Sequence, residues 1–434
     1  MFISDTHQPQ RLPPSAYHQT DAFERESQAI LNDAWYCVGA MGDIPRVGDY
    51  LTTEIAGVPI LVRHVDEQSF DPPDEANTGG ANKGDANTND VGIDGTMPAD
   101  DQTDHRRHCV RAFVNVCSHR FCTLASASRG HAEKIRCPYH GWEYADDGTT
   151  RRIPDAPSFK PLKKGGLGLK TLSCEVRGSL IFVSVADRPE PIDTFLNGHR
   201  DRIESWFGDH WRPMMSYEEV APCNWKTYLE NGLESYHIDT VHAATLVKQP
   251  DAEKCQHEFG DRWTSFTVNE DAADAASRWL DTRVHRLMDL PRQPYQHFHI
   301  YPTLTFVRLA MFSYLESVIP VSPTSCRIVT RGFVYRGRAD RIYSSVLSRG
   351  AGVFGRRLLK KIQDEDFGIL ELNQRGISAP DRPKGGLISA REERIFHFQS
   401  YVARHVQYSE PFNNDSTIAP SNDDSSATVS PAND

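Results

Sequence analysis

The sequence has no apolar run long enough to cross a bilayer: its longest, around Leu180 to Ala186, falls far short of the ~20 residues that a spanning helix needs. Nor does it open on a basic and apolar leader. Met1-Phe2-Ile3-Ser4-Asp5 turns polar at once, so no secretory signal is expected. Its nine cysteines are an odd number, scattered over 434 residues without a framework, which fits a reducing compartment and makes a cytoplasmic location the expectation. Internal repeats are absent. Gly165-Gly166-Leu167-Gly168 lacks the full spacing of a dinucleotide fingerprint and precedes strand rather than helix, so it reads as a turn. Basic charge is also in deficit, the formal net charge being -11, but the deficit is local. Residues 71–104 carry nine acids against one lysine, and residues 411–434 carry four acids and no base; setting aside those -8 and -4 leaves +1 for the rest. The acidity belongs to solvated segments and implies no cationic partner. Neither a nucleic-acid nor a membrane partner is expected.

What is there first is a small all-β pattern. Residues 5–24 are polar with scattered prolines and read as an arm rather than a core element; Glu24 to Asp33 can form a short helix. Trp35 to Ala40, two runs within Gly48 to Arg63, Val110 to Cys117, Lys134 to Cys137, Trp142 to Tyr144 and stretches of Gly166 to Val185 read as strands. Between Gln68 and His108 large apolar residues almost vanish, so 69–107 reads as a disordered acidic insert that cannot offset its ordering entropy. Arg188-Pro189-Glu190-Pro191 marks a boundary, beyond which helix and strand mix. Asn224 to His242 reads as one helix containing a glycine. Trp263 to Asn269, Gln296 to Leu309 and Tyr314 to Tyr335 read as strands, and Arg341 to Gln374 as a long helical segment broken at Gly350, Gly352 and Gly355. The expected organisation is an arm and helix (1–34), an all-β domain (35–190), an α+β domain (191–410) and a disordered tail (411–434).

The chemistry starts at Cys117-Ser118-His119 and Cys137-Pro138-Tyr139-His140. Two cysteines and two histidines arrive as two Cys/His pairs. A zinc finger typically groups its ligands as a Cys pair followed by a His pair. A Rieske [2Fe-2S] centre needs two thiolates on one iron and two imidazoles on the other, and each loop here can supply one of each. Cys122 lies near the first loop, but its spacing fits no pair. It and Cys37, Cys109, Cys174, Cys223, Cys255 and Cys326 read as packing residues.

A second constellation is Glu234-Ser235-Tyr236-His237, with His242 five residues on. On a helix, Glu234 and His237 would share a face, whereas His242 would be rotated about 140° from His237. Both imidazoles can reach one metal only if the helix bends or ends between them. By themselves these histidines read as surface or packing residues.

Together the motifs resemble those of the Rieske non-haem iron oxygenases: Cys117-Ser118-His119-Arg120, Cys137-Pro138-Tyr139-His140-Gly141-Trp142, Asn224-Trp225-Lys226, and an acid before Tyr236-His237 with a second histidine following. The resemblance implies a fold of class α+β, an N-terminal all-β Rieske domain followed by a catalytic domain in which helices cover an antiparallel sheet in a helix-grip, START-like arrangement. It implies cluster ligands Cys117, His119, Cys137 and His140, and a mononuclear Fe(II) held by His237, His242 and an Asp from a C-terminal helix. Gln363 to Gln374 matches that helix with Asp366 in the ligand position and Asp364 and Glu365 as alternatives. It also implies O2 as co-substrate, electrons from NAD(P)H through a flavin or iron-sulfur reductase or ferredoxin, and a homotrimer. In such a trimer Glu234 would link His237 to His140 of a neighbouring copy.

Glu234, where arene dioxygenases often carry Asp, resembles the choline, glycine-betaine and carnitine monooxygenase branch. A quaternary ammonium substrate is the expectation, with an aromatic cage to which Trp263, Trp279, Phe298, Tyr301 or Phe306 can contribute, although each reads first as core. Phe121 departs from the small residue usual after His-Arg in this resemblance. Arene dioxygenation, a pure electron carrier and a zinc-binding structural protein remain the rival readings.

Overall fold

The computed structural model describes residues 4–66 and 110–408, apart from 164, 247–248, 270–282, 284, 291, 338–341 and 384. The acidic insert read over 69–107, the tail after residue 410 and Trp279 lie outside the described residues. The fold is α+β, as the sequence pattern indicates.

Seven antiparallel strands form the first sheet, in the order Tyr36–Ala40, Leu180–Ser184, Thr171–Arg177, Val110–Val114, Val58–His64, Asp49–Ile55 and Arg129–His131. Along Asp49–Ile55 the buried positions alternate, the period-two signature of a strand with one face inward. Tyr36–Ala40 and Leu180–Ser184 are buried throughout, which is why they read as unbroken apolar runs. A smaller sheet of Ile135–Arg136, Glu143–Tyr144 and Thr150–Arg152 brings the second Cys/His loop beside the first.

The second sheet is also seven-stranded and antiparallel: Trp211–Ala221, Ser325–Tyr335, Phe312–Ser322, Leu304–Leu309, Tyr295–Ile300, Trp263–Val268 and Cys255–Phe259. One buried cluster joins the two sheets, with Cys37 and Phe182 of the first packed in the same core as Phe298, Phe306 and Phe333 of the second. Fully burying a side chain of this size contributes about 1.5–3 kcal/mol.

Three readings are corrected. The helix Ile342–Ile377 runs 36 residues without a break. Each interior glycine costs a helix about 1 kcal/mol, but here two of them let it lie close to the sheet. A Cβ at Gly355 would sit 2.6 Å from Phe312 Cε1, and one at Gly352 would sit 3.3 Å from Val334 Cγ1. Asn224 to His242 is not one helix: Trp225–Gly232 ends at its glycine, and a single turn, Ile238–Val241, follows. The N-terminal arm, in turn, is part of a core. Leu12, Ala16 and Tyr17 are buried with Trp225, Leu229 and Phe398.

The arm is held by charge. Lys226 and Glu26 are both fully buried and meet at 2.6 Å. Glu26 also accepts from Trp225 Nε1 at 2.6 Å and from the Tyr408 hydroxyl at 2.9 Å, and the Lys226 ammonium donates to the Ala16 carbonyl at 2.9 Å. Asn224 caps the helix through Lys226 N, and its own N–H donates to Gln374 Oε1 of the long helix at 2.7 Å. Gln374 Nε2 donates in turn to the Tyr17 carbonyl. Removing one member of a buried pair leaves the other charge uncompensated. Glu26→Ala is expected to cost about 3–5 kcal/mol, measured as a lower urea midpoint at unchanged slope. The double variant Glu26→Ala/Lys226→Met is expected to recover most of that loss.

Candidate active site

After Gly232 the chain leaves the helix, and Ile238–Val241 then forms one turn with His237 as its N-cap and His242 as its C-cap. At caps, the two imidazoles escape the rotation an interior spacing of five would impose; their ring centroids are 5.1 Å apart. The long helix lays Asp366 between them. Its Oδ1 is 3.0 Å from His242 Nε2 and 3.7 Å from His237 Nε2, and one donor atom from each residue lies within 4.8 Å of the others. Adjacent donors each about 2.1 Å from a common metal would sit ~3 Å apart, so the group is of the right size for one ion.

Each imidazole is aimed by its other nitrogen. Glu234 Oε1 bonds His237 Nδ1, and Glu234 Oε2 accepts from the backbone N–H of Tyr236 and of His237. Glu365 Oε2 lies 2.8 Å from His242 Nδ1 and accepts from Thr245 Oγ1 at 2.7 Å. Asn231 Nδ2 donates to Asp366 Oδ1 at 2.9 Å. With Nδ1–H given to a carboxylate, Nε2 is left as the free lone pair, the arrangement that fixes a ligating histidine's tautomer and orientation. Burial lowers the pKa of His242, but Asp366 and Glu365 outweigh it and hold that pKa above the usual imidazole range.

The alternatives for the third ligand separate cleanly. Asp364 is half-exposed and ion-paired with Lys360, while Glu365 serves His242 rather than the ligand point. Two imidazoles and one carboxylate on one face, with the opposite face open to a pocket, suit ferrous iron that must keep positions free.

The cluster residues also fit their group. Cys117 and Cys137 are buried. The His119 ring stacks on Trp142 at 4.9 Å, lies 4.7 Å from the His140 ring, and leaves its Nδ1 buried with no protein partner. An orphaned ring nitrogen beside a second imidazole, in loops that also carry two buried thiols, is what an iron-sulfur centre would satisfy. Burial raises the Cys137 thiol pKa, but backbone N–H groups of Tyr139 and His140 more than offset this and hold it below the usual range. Tyr144 Oη lies 3.0 Å from Cys117 Sγ. His140 is exposed. Both loops make one turn: Phe121 N donates to the Cys117 carbonyl and Gly141 N to the Cys137 carbonyl, with φ of 58° and 71° at the closing residue. Phe121 thus adopts the left-handed conformation that its counterpart reaches with glycine, its side chain 80% exposed.

A pocket of about 130 Å3 opens on the His237–His242–Asp366 group. Of the aromatic residues considered from the sequence, the four described ones, Trp263, Phe298, Tyr301 and Phe306, do not line it; Phe298, Tyr301 and Phe306 are core. Its aromatic wall is Tyr217, Tyr228, Tyr295 and Tyr314, with His297, His299 and Glu316 among them. Tyr314 and Glu316 face it from alternate positions of one strand, as do Tyr295, His297 and His299 from another. An acid interrupting the apolar alternation of Phe312–Ser322 was the available signal. Glu316 lies 3.0 Å from the Tyr228 hydroxyl, and burial raises its pKa to about 7. Burial holds His297 and His299 well below the usual imidazole range, so both are neutral.

Two family models match: "Ring hydroxylating alpha subunit (catalytic domain)" over residues 203–408 and "Rieske [2Fe-2S] domain" over residues 34–172. Among curated proteins, the glycine betaine monooxygenase oxygenase subunit of Chromohalobacter salexigens is 29% identical over 235 residues, covering 54% of this chain and 44% of that one. The chain thus spans less than half the length of that relative. The 2-aminobenzenesulfonate 2,3-dioxygenase subunit alpha of Alcaligenes sp. is 23% identical over 360 residues, covering 78% and 77%. Among solved structures, the quaternary ammonium Rieske monooxygenase CntA in complex with L-carnitine superposes with a TM-score of 0.66 at 20% identity, covering 92% of this chain and 96% of that one. This last likeness establishes a shared fold.

Iron analysis tests the ligand assignment. The purified chain is expected to hold about three irons. Asp366→Ala is expected to retain about two, with the cluster's visible absorption intact, whereas Asp364→Asn is expected to leave the count unchanged.

Proposed function

We propose, on the premise that this chain belongs to the Rieske non-haem iron oxygenases, that it hydroxylates an N-methyl group of a small quaternary ammonium compound, using O2 and electrons that a separate reductase draws from NAD(P)H. When bound, the [2Fe-2S] cluster supplies single electrons and the mononuclear iron activates oxygen. Hydroxylating an N-methyl gives a carbinolamine, which breaks down to formaldehyde and the demethylated amine.

The observation that carries the substrate class is Glu316. It is a carboxylate set among Tyr228, Tyr295 and Tyr314, in a pocket whose lining includes no arginine or lysine among the described residues. Tyrosine faces and a buried acid attract a cation that cannot donate a hydrogen bond. A neutral arene gains nothing from the acid and would leave it desolvated. The names of the glycine betaine and carnitine relatives agree with this choice. Arene dioxygenation is the second reading, favoured by the dioxygenase relative, which matches over 360 residues.

Within the site the chain's residues have separate tasks. Glu234 and Glu365 hold the two imidazoles, Asn231 holds Asp366, and the tyrosines exclude water from the pocket. We take the working unit to be a trimer in which the exposed His140 of one copy meets Glu234 of the next, making Glu234 the link between the two iron centres.

A bound cation would draw Glu316 back toward the ordinary carboxylate range, since an opposite charge favours ionisation. Binding near pH 7 is therefore expected to release a proton, visible in calorimetry as a heat that depends on the buffer, and to release none well above pH 7, where Glu316 is already ionised. Glu316→Gln is expected to abolish that release and raise KM on the order of tenfold, about 1.4 kcal/mol. Turnover of arenes but not of ammonium compounds would reverse the choice of substrate. For the link, Glu234→Ala is expected to retain both iron centres and lose turnover; undiminished turnover would overturn that role.

A further inference from the structure

Behind the His237–His242–Asp366 group lies a second cavity, of about 200 Å3. Its polar side is formed by Gln10, Thr227, Glu230, Glu234, Asn373 and Glu392. It shares only Asn231 and Glu234 with the substrate pocket, and these are the residues that hold Asp366 and His237. The side chains of Asn231 and Glu234 thus face both spaces.

Two independent features indicate that water fills this cavity. Thr227 Oγ1 lines it and is buried without any protein hydrogen-bond partner, a state that ordered water relieves. Glu230 lines it too. Its Oε1 accepts from the Tyr17 hydroxyl at 2.6 Å and from Gln399 Nε2 at 3.0 Å, while its other oxygen meets no protein donor among the described residues. The charged and titratable groups around Glu230 are Tyr17 from the arm, with Glu26 and Tyr408 beyond it, Lys226 on its own helix, and Glu392 across the cavity. Burial raises the Glu230 pKa, and Tyr17, Gln399 and Lys226 only partly oppose it, leaving the value at about 7.

The proposed reaction needs protons in this place. Inserting one oxygen atom follows RH + O2 + 2 e⁻ + 2 H⁺ → ROH + H2O, with the electrons supplied by the reductase. Resting on that oxygenase reading, we propose that the cavity is a proton route, in which Glu230 takes protons from solvent and passes them through the cavity's water toward the metal group. Glu230 touches neither substrate nor metal ligand and acts through the water of the cavity.

Two measurements on the iron-loaded enzyme test this. Infrared difference spectra are expected to show a carboxylic-acid carbonyl band that disappears as pH rises through neutrality, and that is missing in Glu230→Gln. In Glu230→Gln, kcat is expected to fall roughly tenfold to 100-fold at unchanged KM, with a larger solvent isotope effect. Thr227→Val, which preserves shape, is expected to keep the infrared band and to raise the isotope effect. A Glu230 that is ionised across the pH range would overturn the route, as would unchanged kcat and isotope effect in Glu230→Gln. If no ammonium compound is hydroxylated, the substrate reading fails by itself. The isotope effect is then measured on reoxidation of the reduced enzyme by O2, where O2 + 2 e⁻ + 2 H⁺ → H2O2 makes the same proton demand, and the same outcomes decide.

Discussion

A charge placed where water cannot reach must find its partner inside the fold, and the Lys226–Glu26 pair imposes that condition here. Once Lys226 is committed to the start of its helix, the N-terminal segment has to return across the catalytic half to deliver Glu26. The arm's hydroxyls and carbonyls then become fixed points. The Tyr17 carbonyl holds Gln374, and Gln374 holds the Asn224 backbone, so the long helix is indexed against the helix that leads into the site. Asp366 lies about two turns before Gln374 on that helix. Its meeting with two histidines more than 120 residues upstream is thus the far end of a chain of buried polar contacts that begins in the first 30 residues.

The two candidate metal centres use the histidine ring in opposite senses. In the catalytic half, carboxylates take Nδ1 of His237 and His242 and leave Nε2 facing the ligand point. In the cluster loops it is Nδ1 of His119 that is bare and buried, with the ring clamped against Trp142. Orientation comes from hydrogen bonds in one case and from stacking in the other. The difference suits their surroundings: the catalytic ligands sit beside acidic side chains, whereas the cluster loops offer mainly aromatic rings and backbone N–H groups.

Much of this was legible in the chain itself, and what was not has physical causes. The cluster loops are local, each complete within a few residues, so spacing alone exposed them. The catalytic histidines were visible, yet their convergence was not, because it depends on the helix stopping at Gly232 and restarting for one turn. The motif put Asp366 in the ligand position and left Asp364 and Glu365 as alternatives; the helix's rotation against the sheet sets Asp366 beside both histidines, Glu365 on His242 Nδ1 and Asp364 toward solvent. The three glycines of the long helix read as breaks because propensity is a local quantity, and the close approach to Phe312 is not. The pocket's aromatic wall was missed for the same reason. Tyr228, Tyr295 and Tyr314 come from a helix and two strands far apart in sequence, whereas Phe298, Tyr301 and Phe306, considered beforehand, belong to the core.

Asn231 and Glu234, which line both cavities, divide the catalytic half into two parts that can change independently. One side is the cavity behind the metal-ligand group, and its residues come from the arm and three helical segments bound into a buried network where a substitution propagates. The other side is a wall of alternate strand positions, each facing the pocket with little else attached. Selection acting on Tyr295, Tyr314 or Glu316 can alter which molecule is admitted while the wiring behind Asn231 and Glu234 stays as it was. A scaffold divided in this way can keep one chemistry and exchange its substrates, a physical basis for relatives of one shape whose names cite compounds as different as carnitine and naphthalene.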